Sequence, residues 1–142
     1  MFALREARAE DAAEIARLAS ELGYPASTDA MQTRLRSLLP LPQHRIVVGQ
    51  GERLLGWIAM ERRNTLESGE FIEIVGLVVD AAARGQGVGR ALVQDAEAWA
   101  VGQGFDAVRV RSNVARDASH PFYESLGYAR IKTQHAYRKV LR

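Results

Sequence analysis

The sequence predicts an α/β fold in which a mixed sheet has helices on both faces, with the element order β-α-α-β-β-β-α-β-α-β. Three observations lead to this prediction. Two helical stripes follow a short first strand, and an antiparallel hairpin with alternating apolar residues comes next. A nearly continuous apolar run over residues 71–79 then has the composition of a central strand that is covered on both faces.

In the first half of the chain, the apolar spacing predicts helices before the hairpin. Glu10 and Asp11 place acidic side chains at the start of a helix, where the helix dipole favours them. Gly51 lies in the turn of the hairpin. The predicted elements are a strand over 2–8, a helix over 10–22, a second helix from a cap at 27–29 to residue 39, and hairpin strands over 44–49 and 54–61.

The second half alternates strands and helices. Glu73 and Gly76 interrupt the apolar strand, and a helical stripe after it ends at Gly102 and Gly104. The predicted elements are a strand over 71–79, a helix over 88–100, a strand over 105–111, a short helix over 116–126 and a final strand over 128–141. A chain of 142 residues suits one domain, so residues 1–142 are predicted to form a single domain.

Composition excludes several classes of protein. Hydrophobic residues make up 47% and charged residues 25%, as in soluble globular proteins. No apolar stretch has the length of a membrane span and the first residues do not resemble a signal peptide, so a cytoplasmic location is expected. A net charge of +2 is too small to indicate nucleic-acid binding. The absence of cysteine excludes disulfides and thiolate chemistry, and three scattered histidines argue against a metal centre.

Between Arg84 and Arg90 the sequence reads Arg-Gly-Gln-Gly-Val-Gly-Arg, directly after an apolar strand and before a helical stripe. Glycines in such a turn let backbone N–H groups converge on one point, and the helix N-terminus adds its own amides. The spacing fits neither a dinucleotide fingerprint nor a Walker A loop. Paired arginines elsewhere, as at 62–63 and 109–111, predict a local positive patch near this turn. A small polyanion is therefore the expected ligand, although such turns also occur without one.

These residues resemble the GNAT superfamily of acyl-CoA-dependent N-acetyltransferases over almost the whole chain. One motif is the strand Ile74-Val75-Gly76-Leu77-Val78-Val79-Asp80 that runs into the glycine turn. The second is Ser112-Asn113-Val114-Ala115-Arg116, which leads to His120-Pro121-Phe122-Tyr123-Glu124-Ser125-Leu126-Gly127-Tyr128. The resemblance implies a GNAT-like fold in which the fourth and fifth strands splay apart, with Gly76 marking a bulge where the splay starts.

The resemblance also implies acetyl-CoA as the co-substrate, with no metal. Backbone amides of the glycine turn would hold its pyrophosphate, the apolar strand would bond its pantetheine arm, and the side chain of Asn113 would bond the cofactor. The cofactor-binding residues implied are Leu77, Val78, Val79, Arg84, Gly85, Gln86, Gly87, Val88, Gly89, Arg90, Asn113 and Tyr123.

Two residues match catalytic positions of the family. Tyr123 matches the general acid, and a phenol with a pKa near 10 is protonated at neutral pH and can donate to a departing thiolate. Its alternative is a core aromatic. Glu73 matches a strand glutamate that serves as general base, often through water; its alternative is a carboxylate that faces solvent or pairs with an arginine. Glu70 is a weaker candidate for the base. Tyr24 and Glu73 are expected to line the acceptor site.

The expected function is transfer of an acetyl group from acetyl-CoA to a primary amine within a ternary complex, because no cysteine is present to hold the group covalently. By analogy with the family, the short chain and the absence of an added peptide-binding segment favour a small-molecule acceptor. A protein N-terminus or lysine, or a non-catalytic acyl-CoA-binding module, are the alternatives. The sequence does not identify the acceptor amine or acyl-chain preference, and a homodimer through the sheet edge or C-terminal strand is compatible with it.

Overall fold

The computed structural model describes residues 1–112 and 119–142, which divide into two units, Met1–Arg111 and Ser112–Arg142. The second unit contains one helix, α4 (Ser119–Ser125). The helices and strands of the first unit are β1 (Ala3–Glu6), α1 (Ala12–Glu21), α2 (Thr28–Leu38), β2 (His44–Gln50), β3 (Leu54–Thr65), β4 (Gly69–Val79), α3 (Val88–Gly102) and β5 (Val108–Val110).

The five strands form one sheet in the order β1-β2-β3-β4-β5. The first four pair antiparallel, and β5 pairs parallel to β4 after the crossover through α3. The predicted mixed α/β fold is therefore confirmed. Strand β3 is longer than predicted, because it continues to Thr65 and forms a second hairpin with β4, which pairs with it from Gly69 onward.

Helices cover both faces of this sheet. Trp57 and Ala59 of β3 pack against a core cluster that includes Ile15 and Leu18 of α1 and Leu35 of α2. Because successive side chains of a strand point to opposite faces, Gly56 lies on the face opposite to that of Trp57. A Cβ added at Gly56 would lie 3.1 Å from Val88 and 3.3 Å from Leu92 of α3. It would also lie 2.8 Å from the Val78 carbonyl oxygen, so the close approach of α3 to β3 requires glycine here.

The strand predicted over 105–111 is shorter in the structure, at Val108–Val110. The residues before it close the C-terminus of α3 instead. Gly104 has φ of 90°, and the backbone N–H of Phe105 donates to the carbonyl of Ala100 at 2.9 Å. Because these amides are used by the helix cap, they do not join the sheet ladder.

In the second unit, α4 falls within the helix predicted over 116–126, of which residues 116–118 lie outside the described residues. The final strand predicted over 128–141 is wrong, since these residues form neither helix nor strand. Tyr128, Ile131 and Val140 are residue types that favour strands, but a strand forms only where its backbone groups bond to a neighbouring strand. The residue types can be read from the sequence of the segment, but the presence of a neighbouring strand cannot.

The organisation of residues 1–142 as one domain stays a prediction. Among the described residues, none of the helices has the length and apolar character needed to cross a membrane.

Candidate active site

The turn between β4 and α3 has the geometry of an anion cradle. Gly85 and Gly87 both have φ of 84°, a region that favours glycine, and a Cβ at either position would meet no protein atom within 4 Å. Helix α3 starts at Val88, directly after Gly87, which has no side chain that could cap the first amides. The N-terminal N–H groups of α3 and its dipole therefore suit a phosphate. Arg84 and Arg90 are exposed at this turn, and their roles in cofactor binding stay predictions.

Asp80 anchors the beginning of this turn. Its carboxylate accepts hydrogen bonds from the Ala82 backbone N–H at 2.9 Å and from Nη1 of Arg17 in α1 at 3.1 Å. These bonds lower the pKa of the Asp80 carboxyl, the bond from Ala82 having the largest effect, while burial has the opposite effect and raises it. The sequence does not reveal this anchoring role of Asp80, because an aspartate after a strand is typical of an ordinary turn.

A second buried carboxylate, Asp11, fixes the start of α1. Both of its oxygens accept hydrogen bonds from the Arg5 guanidinium, at 2.8 and 2.9 Å, and one also accepts from the Arg8 backbone N–H at 2.8 Å. The Arg5 hydrogen bonds are the main reason that the pKa of Asp11 is lowered.

We expect stability to fall in acid because of these two carboxylates. At a pH between the lowered pKa values of the folded state and the ordinary pKa of about 4, these carboxylates bind more protons in the unfolded chain than in the folded chain. Their stabilising contribution is therefore complete above roughly pH 5 and is lost as the pH falls through the folded pKa values. Urea unfolding from pH 7 to pH 3 should show a smaller acid loss in Asp11→Asn and Asp80→Asn than in the wild type. Parallel pH profiles in all three proteins would contradict this.

A β-bulge interrupts β4 where the sequence predicts one. Ala59 of β3 pairs with Gly76, but the next residue, Met60, pairs with Ile74, so Val75 is the extra residue. The bulge reverses the alternation beyond it. Glu73 consequently shares its face with Gly76 and Val78, and not with Leu77 as strict alternation would require.

Gly76 also accommodates Trp57. A Cβ at Gly76 would lie 2.8 Å from Cζ3 and 3.0 Å from Cη2 of the indole. Trp57 packs against the core cluster, and among the described residues its buried indole Nε1 has no hydrogen-bond partner.

Gly76→Ala is expected to destabilise the fold by about 1–3 kcal/mol, because the indole must move from a packed position. In a Trp57→Phe background, which removes the two contacting atoms, the same substitution should cost measurably less. Urea denaturation of the two single variants and the double variant measures this coupling. Additive effects would show that the indole does not determine the requirement for glycine.

The pairing between β4 and β5 is short. It covers only Ile72–Ile74 of β4 against Val108–Val110, whereas β4 continues to Val79. Within the described residues, the β5-facing edge of β4 beyond Ile74 has no strand alongside, as expected for strands that splay apart. The backbone groups of Leu77–Val79 at this edge fit an extended ligand that would bond like an added strand; binding at these residues stays a prediction.

Glu73 is buried at 3% relative exposure beside this separation. Nη1 of Arg63 donates to its Oε2 at 2.8 Å, and Nε of Arg111 lies 2.5 Å from its Oε1. The hydrogen bond to Glu73 raises the pKa of Arg63. Pairing with arginine was the alternative to a catalytic role, and this pairing is present. The role of Glu73 as base stays a prediction.

The other candidates for the acceptor side are less enclosed. Glu70 bonds to Arg62 at 3.1 Å through both oxygens and its side chain is 49% exposed, which makes it a surface ion pair. Tyr24 lies in the bend between α1 and α2 and is 55% exposed. Neither position tests the predicted role in the acceptor site.

In the second unit, Tyr123 is half-buried in α4. Its ring makes edge contacts with Phe122, at 5.2 Å between centroids, and with Tyr128, at 6.0 Å. The carbonyl of Tyr123 accepts from the backbone N–H groups of Leu126 and Tyr128, and Gly127 in the turn has φ of 92°. These contacts fix the backbone and ring of Tyr123. Asn113 lies outside the described residues.

The predicted grouping of arginines near the glycine turn is wrong for three of them. Arg63, Arg109 and Arg111 lie around Phe71 and Glu73. By register this is the face of Ala59, and α3 packs on the other face. The arginine pairs are visible in the sequence, but only the strand register reveals which face they occupy.

Comparisons with known proteins identify the family of this chain. Residues 9–128 match the model of the acetyltransferase (GNAT) family, and the chain belongs to this family. It is an acetyl-CoA-dependent N-acetyltransferase. An aminoalkylphosphonate N-acetyltransferase of Salmonella typhimurium is 33% identical over 112 residues, which are 78% of this chain and 71% of that protein.

Solved structures show the same fold. The aminoglycoside 6'-N-acetyltransferase AAC(6')-IG from Acinetobacter haemolyticus has a TM-score of 0.85 at 17% identity, with 99% of each chain covered. The aminoglycoside N-acetyltransferase AAC(6')-Iy in complex with CoA has a TM-score of 0.86 at 16% identity, with 98% of this chain and 95% of that chain covered. At these identities the likeness concerns the fold alone.

Proposed function

We propose that this acetyltransferase transfers the acetyl group of acetyl-CoA directly to the primary amine of a small molecule. The observation that carries the proposal is the path of β4, which separates from β5 after Ile74 and leads into a turn with two left-handed glycines before α3. An extended arm along the strand and a phosphate at the helix N-terminus fit this path. The relative from Salmonella and the two aminoglycoside enzymes are named for small amine acceptors, which supports the choice of acceptor.

The residues proposed to hold acetyl-CoA lie along this path. Backbone groups of Leu77–Val79 bond the pantetheine arm, and backbone amides from Gln86 to Arg90 bond the pyrophosphate. Arg84 and Arg90 balance its charge, and Asn113 bonds the cofactor through its side chain. Acetyl-CoA, when bound, supplies the acetyl group as an activated thioester.

In the transfer, the amine nitrogen forms a bond to the carbonyl carbon, and the carbon–sulfur bond breaks. The products are an amide and the thiol of CoA. Tyr123 donates its phenolic proton to the departing sulfur. Glu73 removes the proton of the attacking amine through water, because each of its oxygens is already paired with a guanidinium group. The proton taken from the amine balances the one given to the thiol.

The test is amine-dependent release of thiol from acetyl-CoA by the purified chain, across small amines, aminoglycosides and lysine-containing peptides. Saturable release with small amines supports the proposal. Release with peptides alone would favour acetylation of a protein N-terminus or lysine, and binding of CoA with no amine-dependent release would favour a non-catalytic module.

A further inference from the structure

Three arginines converge on one aromatic ring and one buried carboxylate: Arg63 of β3, Arg109 of β5 and Arg111 directly after β5. The guanidinium carbon of Arg109 lies 4.2 Å from the centroid of the Phe71 ring, and that of Arg63 lies 5.7 Å from it. Arg63 and Arg111 both contact Glu73, which pairs in register with Arg109. We call these three side chains with Phe71 the arginine cluster.

The cluster has an excess of positive charge. Glu73 and Glu61 are the carboxylates that contact it, Glu61 at 3.7 Å from Arg63. Three guanidinium groups thus face two carboxylates. Among the described residues, no carboxylate lies within 4.0 Å of Arg109, and its Nη1 donates to the Ser68 hydroxyl at 3.5 Å. The neighbouring Arg62 is separately neutralised by Glu70, so the excess is localised at the cluster.

The position of the cluster separates it from the phosphate cradle. Glu73 and Glu61 share the sheet face of Ala59, which packs toward α1 and α2. Helix α3, with the glycine turn at its start, packs on the opposite face through Val88 and Leu92. The cluster is therefore not part of the helix N-terminus proposed to hold the cofactor pyrophosphate, and its charge is available to another anionic group.

The cluster also borders the separation of β4 and β5. Pairing ends at Ile74 and Val110, and Arg111 follows Val110 directly. A ligand at Glu73 is consequently within reach of the guanidinium groups that contact it. Guanidinium groups are suited to phosphonate and carboxylate, which accept their hydrogen bonds in pairs.

We propose that the arginine cluster binds an acidic group of the acceptor, so that the acceptor is a short aminoalkyl acid, with its amine at Glu73 and its phosphonate or carboxylate at Arg109 and Arg111. This inference rests on the proposed function. A polycationic acceptor such as an aminoglycoside would place further positive charge beside the excess already present, and is therefore disfavoured.

The test compares four amines by acetyl-CoA-dependent thiol release. Aminoethylphosphonate, β-alanine and aminopropanol share one aminoethyl group and differ in a phosphonate, a carboxylate or a neutral hydroxymethyl group; kanamycin is the polycation. We expect kcat/KM for one of the acids to exceed that for aminopropanol at least about tenfold. Arg109→Gln should lower kcat/KM for the acid by about 10- to 100-fold, mainly by raising KM. This fold-change corresponds to the free energy of one charged hydrogen bond. The substitution should leave aminopropanol unaffected.

Arg111→Gln repeats the test at a side chain that is 68% exposed, and Glu73 keeps its contact with Arg63 in this variant, so the fold should be retained. The matched control is Arg53→Gln, an arginine 56% exposed in the first unit but outside the cluster. Calorimetric titration of the CoA-saturated protein with each acid gives a readout besides turnover. The phosphonate and carboxylate arms identify the preferred acid.

The possible results separate the two proposals. Turnover of kanamycin or aminopropanol equal to that of both acids would overturn this inference and leave the proposed function intact. The same follows if acids are preferred but Arg109→Gln and Arg111→Gln change neither KM nor the calorimetric affinity. Absence of thiol release with every amine would overturn both proposals.

Discussion

Tyr123→Phe is expected to lower kcat by about 10²–10³-fold, because it removes the proton that general acid catalysis gives to the departing thiolate. The ring contacts with Phe122 and Tyr128 depend on the aromatic ring and not on the hydroxyl. The variant should therefore fold normally, and its affinity for CoA should change little. Steady-state thiol release and calorimetric titration with CoA measure the two quantities separately.

The matched control is Tyr137→Phe, which removes a hydroxyl from a tyrosine that is 92% exposed in the same unit. Its kcat should equal that of the wild type. If Tyr123→Phe also keeps full turnover, Tyr123 has no part in proton transfer. The core-aromatic alternative would then account for it.

Gly87→Val is expected to weaken CoA binding by at least about tenfold. Valine in the left-handed region is strained by roughly 1–2 kcal/mol, and its side chain would project into the open space at the start of α3 where we place the pyrophosphate. The Cβ of the new side chain meets no protein atom within 4 Å, so the chain should still fold. Calorimetric titration with CoA measures the loss.

Gly104→Val is the control for strain alone. Gly104 has φ of 90° at the other end of α3 and equally open surroundings, so its substitution should cost similar stability. CoA affinity should be retained in this variant. Equal weakening in both variants would mean that general destabilisation, and not the cradle, explains the effect.

Most elements of the first unit were predictable because the apolar residues that set the local pattern of each element are the ones that pack in the fold. The apolar run of β4 and the stripe of α3 indicate their elements without any knowledge of neighbours. The prediction failed for the C-terminal segment, because residues 128–141 contain residue types that favour strands but have no strand pairing. Secondary structure that depends on a partner is beyond a pattern within one segment.

In the candidate site, features encoded within one segment were predictable and features that depend on strand register were not. Gly76 indicates a bulge because isolated glycines in strands usually do, and the bulge is present. That Val75 is the extra residue follows from the register with β3, which no single segment encodes. The grouping of Arg63 with Arg109 likewise joins residues far apart in sequence that meet only across β4. The glycine turn, whose residues are contiguous, was predictable for the opposite reason.

The Arg17 guanidinium has a consequence for how the molecule opens. This single side chain donates hydrogen bonds to Glu14 and Glu21 of its own helix, to the Leu54 carbonyl of β3 and to Asp80 before the glycine turn. Fraying of α1 and release of the turn therefore break the same bonds. The two segments are joined as one cooperative unit in local unfolding, and hydrogen exchange would report them opening together. The turn proposed to hold the cofactor thus depends on a helix from the other face of the sheet for its order before any ligand binds.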